Sequence, residues 1–133
     1  MKTPILPVLL AVLTLLALPT SRAADLSDAD RQFLRGYETV RSALAADDLG
    51  HAKAAAVKLD GAGALAKSDS LDAAREAFKS LSARAVKLAA GQPGFFVLNC
   101  PMVKPGDWVQ TSDKVSNPYM GKAMLTCGSV VKR

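Results

Sequence analysis

Apolar residues spaced three and four positions apart run through residues 27 to 90, and this spacing constrains the fold more than any other feature. Side chains at that spacing line one face of an α-helix, so each stretch predicts a helix with one buried side. The pattern predicts a first helix from Ser27 to about Ala46, a second from about Leu49 that weakens at Gly61 and Gly63, and a third from Leu71 to Gly91. The predicted fold is mainly α, a small antiparallel helical hairpin or three-helix bundle.

Polar residues mark the expected helix starts. Ser27 precedes Asp30 by three positions, a spacing typical of a helix cap, where a side-chain oxygen accepts a first-turn N–H. Asp47 and Asp48 predict a turn followed by a new helix start, and the stretch from Lys67 to Ser70 predicts a loop and a second cap.

The sequence changes character after Gly91, where Pro93 closes the third predicted helix. The apolar run Phe95 to Leu98 is typical of a buried strand, and Trp108 to Gln110 and Met124 to Thr126 are further candidate strands. Proline and glycine punctuate the rest, so residues 91 to 133 predict a compact, loop-rich C-terminal segment carrying short strands. With the helical part, residues 24 to 90, it is expected to form a single domain over residues 24 to 133.

Residues 1 to 23 predict a signal peptide. A basic start at Lys2 precedes an apolar run from Ile5 to Leu18, and small residues lead to a cleavage position after Ala23. The run is shorter than the roughly 20 residues that cross a bilayer as a helix. The mature chain is therefore expected to be a soluble periplasmic protein without a membrane span.

The mature charge is modest. Removing Lys2 and Arg22 from the 17 basic residues leaves 15 against 12 acidic residues, a net charge of +3. Nucleic-acid binding requires a denser basic face with interleaved aromatic residues, so that function is excluded.

The C-terminal segment holds every cysteine and methionine of the chain apart from the initiator: Cys100, Met102, Met120, Met124 and Cys127. One explanation is a disulfide between Cys100 and Cys127, which an oxidising compartment favours and which could add roughly 3.5 kcal/mol by closing the loop. The methionines would then fill an irregular core.

The other explanation is a soft-metal site formed by the same residues: Cys100, Met102, Met120, Met124 and Cys127. Thiolate and thioether sulfur suit monovalent copper or silver, whereas calcium and magnesium need oxygen ligands. A structural zinc site needs four Cys or His ligands, and the chain has two cysteines and one histidine. The two explanations are compatible, because thioethers do not form disulfides.

Other residues with chemical potential point to packing. His51 lies among alanines and is expected to face solvent or pack, and Trp108 is expected to anchor the core. The sequence contains no Cys-x-x-Cys motif, no glycine-rich phosphate loop and no recognisable nucleophile with its base. The chain is therefore predicted not to be an enzyme.

Three stretches together resemble a bacterial family: Cys100-Pro101-Met102, Trp108-Val109-Gln110-Thr111 and the run from Asn117 to Gly128. The family is an envelope domain of unknown function, found alone or attached to periplasmic adaptor subunits of copper- and silver-exporting efflux systems. Residues 43 to 49 are also similar. The resemblance implies a helical hairpin or small bundle joined to a Cys- and Met-bearing segment. It also implies a role in handling copper or silver, with an efflux adaptor as partner. Met120 replaces a residue that is often aromatic in the family, so it is a candidate ligand on its chemistry alone.

Overall fold

The structure is a computed structural model that describes residues 24 to 132, so the predicted signal peptide lies outside the described residues. In this range the chain forms α1 (Asp28–Ala45), α2 (Leu49–Ala56), α3 (Gly63–Ala66), α4 (Leu71–Ala89), β1 (Phe96–Asn99), β2 (Asp107–Gln110), a 3-10 helix (Gly121–Met124) and β3 (Ser129–Lys132). The prediction of a mainly helical fold with short strands near the end is confirmed. No helix within residues 24 to 132 is both long and apolar enough to cross a membrane.

The predicted helix caps are confirmed. The Ser27 hydroxyl accepts the backbone N–H of Asp30 at 3.1 Å, and a carboxylate oxygen of Asp48 accepts that of His51 at 2.9 Å. Ser70 begins α4 in the same way, accepting from Ala73 at 3.1 Å. Each bond satisfies an N–H that the first helical turn leaves without an intrahelical partner.

The predicted second helix is two helices. Helix α2 ends at Ala56, and the chain then turns through Gly61, whose φ of +79° is a left-handed conformation that glycine adopts without strain, before α3 begins at Gly63. Leu59, expected on the second helix, lies in the intervening turn and is still buried. The predicted third helix is therefore α4, the fourth in the described range.

The three strands form an antiparallel sheet in the order β2-β1-β3. The prediction of a strand at Met124 to Thr126 is wrong, because this stretch contains the end of the 3-10 helix and the turn after it. Two backbone hydrogen bonds hold it in a loop, from Asn117 N–H to the Leu125 carbonyl at 2.8 Å and from Cys127 N–H to the Met124 carbonyl at 3.0 Å. The third strand begins later, at Ser129. We call residues 96 to 132, which contain the sheet and the 3-10 helix, the cap.

Helices and cap share one hydrophobic core. A row of neighbouring aromatic rings runs from α1 through α4 into the cap: Tyr37, Phe78, Tyr119 and Trp108, with centroids 4.9, 5.9 and 6.2 Å apart in turn. The Tyr37 hydroxyl shares a 2.8 Å hydrogen bond with Ser82 and accepts the backbone N–H of Val109 at 3.2 Å. The core anchor predicted at Trp108 is confirmed, since its side chain is fully buried.

Arg75 of α4 fastens the cap to the helices. Its guanidinium donates to the Pro118 carbonyl at 2.9 Å and to the Leu44 carbonyl at 3.1 Å, and it pairs with the Asp47 carboxylate. Gly121 packs so closely on this cluster that an added Cβ would overlap both Asp47 and Arg75. With a φ of +57° as well, this position requires glycine.

Candidate thiol and metal site

The structure brings the two cysteines into contact. Cys100 directly follows β1 and Cys127 lies just before β3, and antiparallel pairing of Asn99 with Ser129 places the flanking residues side by side. The two Sγ atoms are 3.3 Å apart, and both residues are thiols in this structure. Cys100 is completely buried, whereas Cys127 is half-buried. The predicted ligand set therefore has two sulfur atoms that can act together.

A tight turn holds Cys100. Its backbone N–H donates to the Gly106 carbonyl at 3.0 Å, and its carbonyl accepts the N–H of Val103 at 3.3 Å. Gly106 lies so near these carbonyls that a Cβ there would overlap the oxygen atoms of both Cys100 and Val103. Cys100 is thus fixed by backbone contacts, and its neighbours leave little room for movement.

Asn117 holds Cys127 in place. Its side-chain amide donates to the Cys127 carbonyl at 2.7 Å, and its side-chain oxygen accepts the N–H groups of Tyr119 and Met120 at 2.8 and 3.1 Å. Asn117 is fully buried, so its amide depends on these protein partners rather than on water. One amide side chain therefore sets the shape of the loop that carries Cys127.

Gly128, the residue after Cys127, packs closely against β1 and Trp108. Its φ is +124°, and an added Cβ would lie 2.8 Å from both the Asn99 carbonyl oxygen and the Trp108 ring. A larger residue would push this part of the chain away from β1. Gly128 and Trp108 therefore act together to bring Cys127 close to Cys100.

The three candidate methionines have different surroundings. Met102 follows Cys100 by two residues and is 63% exposed, and Met124 precedes Cys127 by three residues and is 40% exposed. Met120 is half-buried and packs against the hydrophobic core. Met102 and Met124 therefore offer thioether sulfur to solvent next to the cysteines along the chain, whereas Met120 contributes mainly to packing.

The pKa of the Cys127 thiol is raised above its ordinary value. The largest cause is its hydrogen bond with the Cys100 thiol, followed by desolvation and by repulsion from a charge on Cys100. Because the thiolate is the reactive and metal-binding form, Cys127 is held in its protonated form at neutral pH. The arrangement differs from that of a catalytic cysteine, whose pKa is lowered by neighbouring positive charge.

The single histidine of the chain faces solvent beside a helix cap. The His51 imidazole is 82% exposed, as expected, with Nδ1 2.7 Å from an Asp48 carboxylate oxygen. Among residues 24 to 132, His, Cys, Asp and Glu side chains form no group of three or more suited to a metal ion.

Sequence reasoning missed Asn117 and Gln110, the two buried amides that shape the site. Gln110 accepts the Trp108 indole N–H at 2.9 Å and donates to the Ser112 and Lys114 carbonyls, both at 2.6 Å. The signal available for Asn117 was its position before Pro118, since an asparagine side chain readily bonds backbone N–H groups two and three residues ahead. No comparable local signal marked Gln110, which is buried at the end of β2.

No family model, curated protein or solved structure matches the chain. Function is therefore inferred from the chemistry and geometry of the sulfur-bearing residues. Cys100 and Cys127 lie in the part of the cap where Gly106 and Gly128 pack closely on neighbouring atoms.

Proposed function

We propose that the protein is a periplasmic binding protein for a monovalent soft metal ion, copper or silver, held at the cap. The observation that carries this proposal is the 3.3 Å contact between the sulfur atoms of Cys100 and Cys127, which come from positions 27 residues apart. Exposed Met102 and Met124 lie beside the two cysteines along the chain. All four sulfur donors lie within residues 100 to 127, and soft cations prefer such donors.

The donor set fits copper or silver better than harder ions. Monovalent copper and silver bind thiolate and thioether sulfur, and neither needs the oxygen ligands of calcium or magnesium. In this proposal Cys100 and Cys127 bind the ion as thiolates, Met102 and Met124 add thioether sulfur, and Met120 supports the loop from the core side.

The physiological role that follows is handling of copper or silver outside the cytoplasm. The resemblance to domains attached to efflux adaptors supports an adaptor protein as the partner that receives the ion. The helices then act as a small rigid bundle that carries the cap, through the Arg75 hydrogen bonds to Leu44 and Pro118. In this role the protein binds and transfers an ion and performs no catalysis.

A second candidate function is a disulfide-stapled interaction module without metal. It is favoured by the complete burial of Cys100 against Cys127, a pairing that an oxidising compartment converts to a disulfide. Exposed Met102, Leu125 and Val131 would then form part of the apolar surface that contacts a partner protein.

Substitution of the exposed methionines separates the two functions. Replacing Met102 and Met124 together by leucine keeps side-chain volume and removes thioether sulfur, so we expect affinity for monovalent copper to fall by about tenfold or more, the scale on which even outer-shell changes act. The measurement is a titration of reduced protein under nitrogen against a chromogenic copper chelator. Met120→Leu is the matched control, with the same chemical change at a half-buried position, and is expected to alter affinity by less than about threefold.

Two outcomes of that titration would contradict the metal proposal in part or in whole. One, equal affinity in wild type and the Met102→Leu, Met124→Leu protein, would exclude the thioethers as ligands. The other is failure of reduced wild type to compete with the chelator at all, which would leave the interaction module as the function. A double Cys100→Ser, Cys127→Ser protein tests the thiolates separately and is expected to bind copper much more weakly than wild type.

Copper affinity should rise with pH. The pKa of Cys127 is raised by its bond with Cys100 and by desolvation, so the thiol keeps its proton at neutral pH and a bound metal must displace it. Below that pKa, each displaced proton increases the apparent affinity by about tenfold per pH unit. The same chelator competition run from about pH 6 to about pH 8 measures the slope, and a flat profile would show that thiolates do not bind the ion.

A further inference from the structure

We infer that Cys127 is the sulfur at which a disulfide-bearing oxidant attaches and that Cys100 is the resolving sulfur that completes an internal disulfide. The inference names a modification site and a class of reactant, low-molecular-weight or protein disulfides. It rests on the proposed function only for its consequence on metal binding. The exchange itself is measured in protein without metal.

The two sulfurs differ in access. Cys100 is completely buried and its backbone is fixed by the turn closed at Gly106, so an external disulfide cannot reach it in the folded protein. Cys127 is half-buried and lies on a loop that also carries the exposed residues Met124 and Leu125. Thiol–disulfide exchange requires a sulfur atom to meet the target disulfide directly, so the first step is confined to Cys127.

The second step is set up by proximity. With its Sγ 3.3 Å from that of Cys127, Cys100 needs no loop movement to reach the newly formed mixed disulfide. A reactant held at contact distance competes at a very high effective concentration against any thiol in solution. The mixed disulfide should therefore be resolved faster than it forms.

The chemistry balances with one oxidant disulfide for each protein. The Cys127 thiolate attacks the oxidant, forms one S–S bond and releases one thiol, which takes up the proton lost by Cys127. The Cys100 thiolate then attacks the Cys127 sulfur, forms the Cys100–Cys127 bond and releases the second thiol, which takes up the remaining proton. The protein loses two electrons and two protons, and the oxidant is reduced to two thiols.

Oxidation also controls the proposed metal site. Both thiolate donors are consumed by the internal disulfide, which leaves only the thioethers of Met102 and Met124. Conversely, an ion bound to Cys127 occupies the sulfur that the oxidant must reach. Metal binding and oxidation are therefore mutually exclusive at this pair.

The test follows reduced mature protein with oxidised glutathione, using acid quenching, alkylation and intact mass. Wild type should pass to a form lighter by two hydrogens without accumulating a glutathione adduct. Cys100→Ser should accumulate the adduct at Cys127, and Cys127→Ser should react at least about tenfold more slowly, because the thiolate needed for attack is then buried.

A variant-free measurement guards against misfolding of the substituted proteins. Partial alkylation of reduced wild type followed by peptide mapping should label Cys127 well before Cys100. Equal labelling of the two cysteines, or accumulation of a wild-type glutathione adduct, would overturn the inference. Failure of copper binding with the expected exchange pattern intact would overturn the proposed function and leave this inference standing.

Discussion

Replacing Trp108 by alanine should destabilise the protein by about 3–5 kcal/mol, the range for deleting a large buried aromatic side chain. Trp108 is fully buried, lies edge-on to Tyr119 at 6.2 Å, and donates its indole N–H to Gln110. The substitution therefore removes the ring from the core and leaves the Gln110 side-chain oxygen with one donor fewer. It also opens a space beside Gly128, whose backbone rests on the ring.

The measurement is chemical unfolding followed by far-ultraviolet circular dichroism, since Trp108 is the sole tryptophan and its fluorescence is lost in the variant. Val57→Ala is a suitable control, because Val57 is 74% exposed and its truncation should change stability by under about 0.5 kcal/mol. A loss below about 1 kcal/mol for Trp108→Ala would contradict the placement of this ring in the core.

Replacing Asn117 by alanine should destabilise the protein by about 3 kcal/mol, because it removes the three hydrogen bonds of a buried side chain at roughly 1 kcal/mol each. The Cys127 carbonyl and the N–H groups of Tyr119 and Met120 would lose their partner inside the cap. We also expect a second effect, slower closure of the Cys100–Cys127 disulfide, since Asn117 holds the loop that brings Cys127 to Cys100.

Unfolding free energy and the rate of internal disulfide formation are measured on the same Asn117→Ala preparation. Ser112→Ala is the control, because Ser112 is exposed and its hydroxyl accepts a single hydrogen bond, from Lys114 N–H at 3.1 Å. Unchanged disulfide closure in a destabilised Asn117→Ala protein would show that β-sheet pairing alone positions Cys127. Unchanged stability would show that the amide bonds are replaced by water.

The helices could be predicted because their signals are local. Three cap residues accept a backbone N–H from three positions ahead: Ser27, Asp48 and Ser70. The apolar spacing can likewise be recognised within a single helical turn. The break near Gly61 was also visible, but not the separate α3, since its four residues are too few to establish a period.

The cap was less predictable because its contacts are long-range. The apolar stretch around Met124 and Leu125 suggested a strand, yet hydrogen bonds from Asn117 and Cys127 curl it into a loop, and the strand lies at Ser129 to Lys132. The sequence shows that the cysteines and methionines lie in one segment. The contact between Cys100 and Cys127, however, depends on the pairing of β1 with β3. The hydrogen bond from Arg75 to the Pro118 carbonyl joins residues 43 positions apart, so no local sequence pattern predicts it.

The strand order has a consequence for how the sheet is assembled over time. A chain delivered amino end first can form its helices and the β1–β2 hairpin before residues 129 to 132 arrive. During that interval one edge of β1 carries unpaired N–H and C=O groups, and Cys100 has no neighbouring sulfur. Arrival of β3 covers the edge and creates the sulfur pair in the same event. In the half-assembled sheet the Cys100 sulfur is therefore still accessible from outside, before burial ends that access.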